Sequence, residues 1–479
     1  MTPPKVIEKI ERRLLKLAQW RYAEVAEVAL EAAMTQDHFR MPPAAVSFAP
    51  APVGSAWGEH WGTTWFRGQV TVPKELKGRR VYYRHVSFTD KLLWVNGQPF
   101  CGMNHKHDEA LLLKSARGGE SFQLHIEAYT GHPIPGADPY FPEMYTHQFC
   151  AFDPGVDPPI PLKASALLYE REQTAAFYYN ANVLLKTAKI LDENALRRAA
   201  ILDGLNAAMD RIPMNWATED ELEAAAKLAN KQAAPLLASK NAPTTATVGI
   251  VGHCHIDIGW LWPVKESIRK AAKSFSSVLN LMEDYPELRF QQSQPVLYDM
   301  IEHHYPELLP KIKKRVKEGR WEPNGGMWVE ADCNLSGGES LVRQFLEGRK
   351  KTMELFGYKA DTMWLPDVFG YAAALPQILK KCDIENFVTS KINWNDTNRF
   401  PYTTFWWEGI DGTAVFSHFI NTTGEFSGYN AEVFPEVSQN TWNQVLHKDC
   451  QDATLSSVGW GDGAAAPTRG NLRARRAHG

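Results

Sequence analysis

The spacing of apolar side chains changes character along this chain, and the changes divide it into regions. Residues 5 to about 33 place Ile7, Ile10, Leu14 and Leu17 on one face at helical spacing, which predicts a leading helix. From about 45 to 165 the texture turns to short alternating runs, at 64–73, 80–84 and 91–97. Asn96-Gly97 is a strong hairpin signal, because both residues tolerate positive φ. Regular short strands parted by turns predict a β-sandwich. Trp57, Trp61 and Trp65 fall here, and core packing explains them better than a sugar-binding face.

Proline-rich sequence at 133–162 gives way to a stretch rich in Ala, Leu and Lys from about 164 to 238, read as helical. The segment 239–245 has the composition of a domain boundary. Beyond it, strand-like runs fall at 246–251, 288–292, 321–324, 362–366, 386–389, 413–418 and 454–459. They alternate with helix-like runs that include 264–283, 296–318, 338–356 and 373–381. That alternation predicts an α/β domain.

Composition narrows the functional classes. The 479 residues suffice for two or three domains. A net charge of -3 gives no electrostatic case for nucleic acid or an anionic membrane as partner. No apolar run approaches membrane-spanning length, and the N-terminus leads into a charged amphipathic helix rather than an apolar signal segment. Six scattered cysteines argue against a disulfide framework or a Cys-rich zinc site and for a reducing compartment, the cytoplasm. Sixteen tryptophans suit carbohydrate binding, although most of them belong to the core on ordinary grounds.

Candidate chemistry gathers behind the predicted strands. The run 246–251 leads into His253, Cys254, His255, Ile256 and Asp257. His255 and Asp257 are two apart, so extended backbone points both to one side, where they can share an ion. A capped strand end with a core histidine is the bland alternative, and Trp260 and Trp262 close behind tilt the balance toward a sugar site. Three more acidic clusters follow strands: 325–334 with Trp328 and Asp332, 364–371 with Asp367, and 460–463 with Asp462. One Asp after a strand is usually a helix cap; four clusters in equivalent places are hard to explain that way. Cleaving a glycosidic bond with retention needs two carboxyl groups, a nucleophile and an acid/base. A divalent ion assists by aligning sugar hydroxyls and stabilising developing charge.

Together the segments 253–260, 325–334, 364–371 and Gly461-Asp462-Gly463 resemble glycoside hydrolase family 38, the class II α-mannosidases, and most of all its cytosolic or vacuolar branch. The resemblance spans about 246 to 468, and the preceding regions are similar to the N-terminal parts of that branch more loosely. The fold it implies combines α/β and β architecture. A β-sandwich-like domain with its leading helix covers 1–163, a helical connector 164–245, and a seven-stranded β/α barrel, C-terminally incomplete, 246–479. The activity it implies is retaining cleavage of terminal α-D-mannosyl residues from oligosaccharides, assisted by zinc or cobalt. By motif match, His255 and Asp257 are metal ligands, and Asp332 is both metal ligand and nucleophile. Trp260 forms the floor under the mannose ring, Trp328 contacts substrate and Asp367 is a hydroxyl-binding acid. Asp462 matches the acid/base region, with Asp367 as runner-up for that role. Mannose-containing oligosaccharides are the partners implied, without nucleic acid or membrane, in a full-length form that is a homo-oligomer. The implied location is the cytoplasm, or the vacuole for a fungal source.

Two departures stand out. The branch continues after Asp462 with a glycine run, where this chain reads Ala464-Ala465-Ala466 before Pro467-Thr468, and the tail 469–479 turns basic. Family members run far beyond this point and carry a last metal-binding histidine there, so the expectation is a truncated chain short of one ligand. Two other readings stay open. His253-x-His255 also fits a metal-dependent amidohydrolase or deacetylase barrel, which needs further histidines at later strand ends; His418 is the late candidate. A truncated carbohydrate-binding protein without catalysis is the third.

Overall fold

The structure is a computed structural model that describes residues 3–87, 89–104, 107–131, 158–240, 245–260, 262–393, 397–398, 400–420, 429–459 and 472–473. Its first half holds the expected sandwich. One antiparallel sheet runs Tyr22–Glu27, Ala164–Glu170, Val81–Val86, Glu109–Leu113; the other runs Ala49–Pro50, Glu31–Thr35, Thr63–Thr71, Ser121–Tyr129, Lys91–Val95, Gln98–Met103. Alternation along the strands sends Phe66, Leu93, Leu124, Ile126, Tyr83 and Leu167 into one core. Asn96 and Gly97 adopt φ of 52° and 74°, the two positive values a tight hairpin requires, and Asn96 Oδ1 accepts the Gln123 N–H at 2.9 Å. Trp57 and Trp65 are buried, as packing predicts, while Trp61 is half exposed.

Two predicted boundaries shift. The leading helix covers Pro3–Trp20 and stops there; Tyr22–Glu27 and Glu31–Thr35 are strands. Their Ala- and Glu-rich sequence favours helix locally, but pairing with Ala164–Glu170 and Thr63–Thr71 overrides that preference. For the same reason the first residues of the region read as helical, 164–170, are the strand that pairs with Tyr22–Glu27 and Val81–Val86. Helices Glu172–Ile190, Leu196–Met209 and Glu219–Leu237 follow. The predicted face of the leading helix packs on the first two of them, and Ile10, Leu14 and Leu17 share a core with Leu184, Leu205 and Ala226. Thr218 caps the last helix by accepting the Glu221 N–H at 3.3 Å.

Parallel strands form the α/β region in two sheets. One runs Trp321–Glu322, Phe290–Gln291, Thr247–Gly252, Ala453–Val458; the other runs Thr362–Leu365, Asn386–Thr389, Ala414–Phe419, with Thr404–Glu408 antiparallel at its edge. A hydrogen bond from Gly325 N to Thr362 O (3.1 Å) ties the sheets together on one side. Between them Trp364, Val388 and Ile420 pack with Val251 and Leu455. Helix Val264–Asp284 is buried almost all round, wedged between this region and the sandwich. Its Phe275 and Val278 share a core with Trp65 and Trp94 from the sandwich and with Tyr298 and Trp321. No helix among the described residues is long and apolar enough to cross a membrane.

Burial of histidines gives this fold a pH signature. Desolvation pushes down the pKa of His38 (to about 3), His85, His125, His253, His304 and His418 (to about 4). The unfolded chain binds protons at these positions below pH 6.5 while the folded chain does not, so their contribution is present above 6.5 and lost as pH falls toward 4. His255, Asp108 and Glu127 are shifted upward and act in the opposite sense. Among the described residues, carboxyls held low, such as Asp90, Glu109 and Asp367, add to the histidines' effect as pH nears 4, so the melting temperature is expected to fall on acidification from pH 6.5 to 4; a flat profile in calorimetry would contradict this.

Candidate metal and active site

Three strands of the two parallel sheets deliver the site from their C-terminal ends, where α/β sheets keep ligand sites. Thr247–Gly252 runs on into His253–Asp257, Thr362–Leu365 into Asp367, and Asn386–Thr389 into Lys391. His255 is buried. Its Nδ1 lies 2.6 Å from Glu330 Oε2, and its Nε2 lies 3.2 Å from Asp257 Oδ1 and 3.3 Å from Asp367 Oδ2. Asp367 is anchored at both oxygens: the Tyr429 hydroxyl donates to Oδ2 at 2.7 Å, and Lys391 Nζ pairs with Oδ1 at 2.9 Å. Behind His255, Ser293 Oγ donates to Glu330 Oε1 at 2.6 Å, and the Glu330 N–H is held by Gln294 Oε1 at 3.2 Å.

Burial alone would strip the proton from His255. The Glu330 charge, with hydrogen bonds to Asp257, Asp367 and Glu330, outweighs it and holds the imidazole well above its ordinary value. Burial likewise works to raise Asp367, yet His255, Lys391 and the Tyr429 hydroxyl bring it down to about 2. The ring is thus favoured in its protonated form, with Glu330 at one nitrogen and Asp257 and Asp367 at the other. One ligand atom each from His255, Asp257 and Asp367 falls within 4.8 Å of the others. A nitrogen and two carboxylate oxygens form a donor set that zinc accepts, with a fourth position left over. Ion and proton compete for the same Nε2 lone pair, so cation uptake requires that proton to leave.

The residues expected to serve the site distribute unevenly. His255 and Asp257 come together, and the acid beside them is Asp367. Asp332 does not join the group: it is exposed, and its Oδ1 turns back into its own loop to accept the Asn334 and Leu335 N–H groups, each at 2.8 Å. That is an Asx-type turn, the local alternative an Asp in a loop takes readily. Trp260 is half exposed, edge-on to Trp262 at 5.3 Å. Trp328 is half buried, its backbone bonded to Gln344 and Val296. Asp462 lies outside the described residues. His253 sits fully buried with Nε2 3.3 Å from Ser293 Oγ, and His418 Nδ1 meets Thr404 Oγ1 at 2.9 Å. Neither joins an ion-binding group among the described residues.

Sequence reasoning passed over Glu330, Lys391 and Tyr429. Glu330 stands in the acidic loop that drew attention to Asp332, and Lys391 follows a predicted strand, so both carried a signal; Tyr429 carried none. Glu330 fixes which nitrogen of His255 faces the acids, the role an outer carboxylate plays behind a metal-bound histidine. Glu330→Gln is expected to weaken zinc binding roughly 10- to 100-fold with the fold retained. Chelator competition monitored beside circular dichroism checks this.

With this geometry in place, comparison with known proteins becomes informative. Residues 245–477 match the N-terminal domain of the glycosyl hydrolases family 38, and residues 14–146 match the jelly-roll domain of α-mannosidases. The chain is 32% identical over 429 residues to α-mannosidase G of Dictyostelium discoideum, covering 88% of this chain and 38% of that protein. It is 33% identical over 434 residues to human α-mannosidase 2C1, covering 88% and 39% respectively. A solved α-mannosidase from Enterococcus faecalis aligns over 49% of this chain and 27% of its own, at 24% identity and a TM-score of 0.40. Both family models describe domains of glycoside hydrolases, and they set the class of protein to which this chain is similar. Within that class it belongs to family 38. It spans about two fifths of the length of these two curated relatives.

Proposed function

We propose that this chain forms the ion- and sugar-binding part of a retaining α-mannosidase that removes terminal α-D-mannosyl residues from oligosaccharides. The observation that carries the reading is the convergence of His255, Asp257 and Asp367 within 4.8 Å, in a domain of the α-mannosidase family. In this reading the three side chains hold a divalent cation, zinc or cobalt, which when bound supplies charge stabilisation to sugar hydroxyls. Asp367 takes the nucleophilic role the motif match gave to Asp332. It is ionised, its two oxygens are fixed by Tyr429 and Lys391, and it stands next to the ion ligands. Asp462 keeps the acid/base role by motif. Trp260, on the loop that carries Asp257, offers an indole face to a sugar ring. We read the two parallel sheets as the halves of one barrel, and the cysteine usage as that of a cytoplasmic protein.

The test begins with ion content. The purified chain is expected to take up one zinc or cobalt ion, and His255→Ala to lose it. Turnover of an aryl α-mannoside, with α-mannose as the first-formed anomer by NMR, tests the chemistry itself. Release of the β-anomer would sink the retaining mechanism. Uptake of metal through His253 and His418, with hydrolysis of an amide, would favour the amidohydrolase reading instead.

A further inference from the structure

Helix Val264–Asp284 begins just behind the loop that carries Asp257 and Trp260, and two of its side chains grip that loop. Ser267 is fully buried. Its hydroxyl donates to the Asp257 carbonyl at 2.7 Å and accepts from the Gly259 N–H and the Trp262 indole N–H, both at 3.0 Å. One donor and two lone pairs are all a serine hydroxyl has, so each is committed to this loop. Gly259 stands at φ 80°, a left-handed conformation that the bond to its N–H holds in place. The Trp260 N–H in turn donates to the Trp262 carbonyl at 3.0 Å.

Three residues further along the helix, the Lys270 ammonium sits 4.3 Å from the centroid of the Trp262 ring, a cation–π contact in a buried setting. The same ammonium lies 3.1 Å from Asp90 Oδ2 in the β-sandwich. Lys273 also reaches that oxygen, at 2.8 Å. One aspartate therefore serves two buried lysines, and the indole face offers the second positive charge another partner. We propose that Ser267 and Lys270 are positioning residues for the loop bearing Asp257 and Trp260, and that through Asp90 the β-sandwich takes part in shaping it. This rests on the reading above, in which that loop holds a cation.

Lys270 and Lys273 make the test sharp, because they share burial and the same aspartate but differ in the indole contact. The full chain is compared with Ser267→Ala, Lys270→Met and Lys273→Met. Zinc affinity is measured by chelator competition, and amide exchange at Gly259 is measured without metal. Ser267→Ala is expected to weaken zinc roughly 10- to 100-fold, the range for outer-shell partners, with Lys270→Met at the low end. Both should speed Gly259 exchange, while Lys273→Met stays near the parent in both readouts. Equal losses from Lys270→Met and Lys273→Met would reduce the effect to general stability and overturn the proposal. So would folded Ser267→Ala and Lys270→Met variants with parental values. If Ser267→Ala does not fold, the lysine pair still decides. A parent chain that takes up no zinc would sink the cation reading, leaving Gly259 exchange to decide whether these side chains hold the loop.

Discussion

Asp367→Ala is expected to weaken zinc binding by more than about 100-fold, beyond the range seen for outer-shell partners, whereas Asp332→Ala stays close to the parent. The contrast follows from where each carboxylate spends its lone pairs. Asp367 faces His255 Nε2 at 3.3 Å and is driven ionised by that ring and by Lys391. Asp332 spends an oxygen on two N–H groups of its own turn. Removing Asp367 deletes one ligand of three and takes away a carboxylate paired with the buried Lys391, so some loss of stability should accompany the loss of affinity. Calorimetric zinc titration of both variants, with melting temperatures alongside, separates the two residues. Parental affinity in Asp367→Ala and lost affinity in Asp332→Ala would restore the motif-based assignment.

Arg269→Leu is expected to be the most damaging single change to the fold, at about 3–5 kcal/mol, the cost of breaking a buried ion pair by removing one partner. Arg269 Nε lies 3.4 Å from Glu127 Oε1 in the sandwich and 3.2 Å from Glu266 Oε2 on its own helix, and all three side chains are almost wholly buried. Its NH1 donates to Thr63 Oγ1 at 2.9 Å. Burial raises Glu127 to about 7 even against the Arg269 charge, so removing the arginine leaves two buried carboxyl groups without the cation that pairs with both. Urea midpoints should fall sharply, and adding Glu127→Gln should recover part of the loss. A midpoint within a few tenths molar of the parent would show that the pair contributes little.

Much of this architecture was legible where one physical signal ruled. Each strand-like run read after residue 245 coincides with a strand of the parallel sheets, because short apolar runs set between helical patterns are the mark such strands leave in sequence. Helix Gly338–Phe356 falls on the predicted 338–356. Legibility failed where partners distant in sequence decide. Tyr22–Thr35 reads as helix until its pairing partners, more than a hundred residues away in one case, are known. The edge strand Thr404–Glu408 is defined by its neighbour Ala414–Phe419. In the site, His255 and Asp257 were legible because two residues of one strand end face the same way. Which later acid meets them depends on loop geometry, and that chose Asp367 over Asp332. Tyr429 could not be read at all, since only the fold brings its hydroxyl to Asp367.

The wedged position of helix Val264–Asp284 bears on how such a protein can be taken apart or diversified. The boundary expected at 239–245 does not divide the cohesion of the molecule. Arg269, Lys270 and Lys273 belong to one side of that boundary, and two acids that pair with them, Glu127 and Asp90, belong to the other. A fragment cut at the linker would lose Glu127 and Asp90 from a surface built for contact, and a jelly roll exchanged between relatives would have to bring matching acids with it. The sandwich and the α/β region are therefore tied together along this helix, and a change on either face of the contact bears on both.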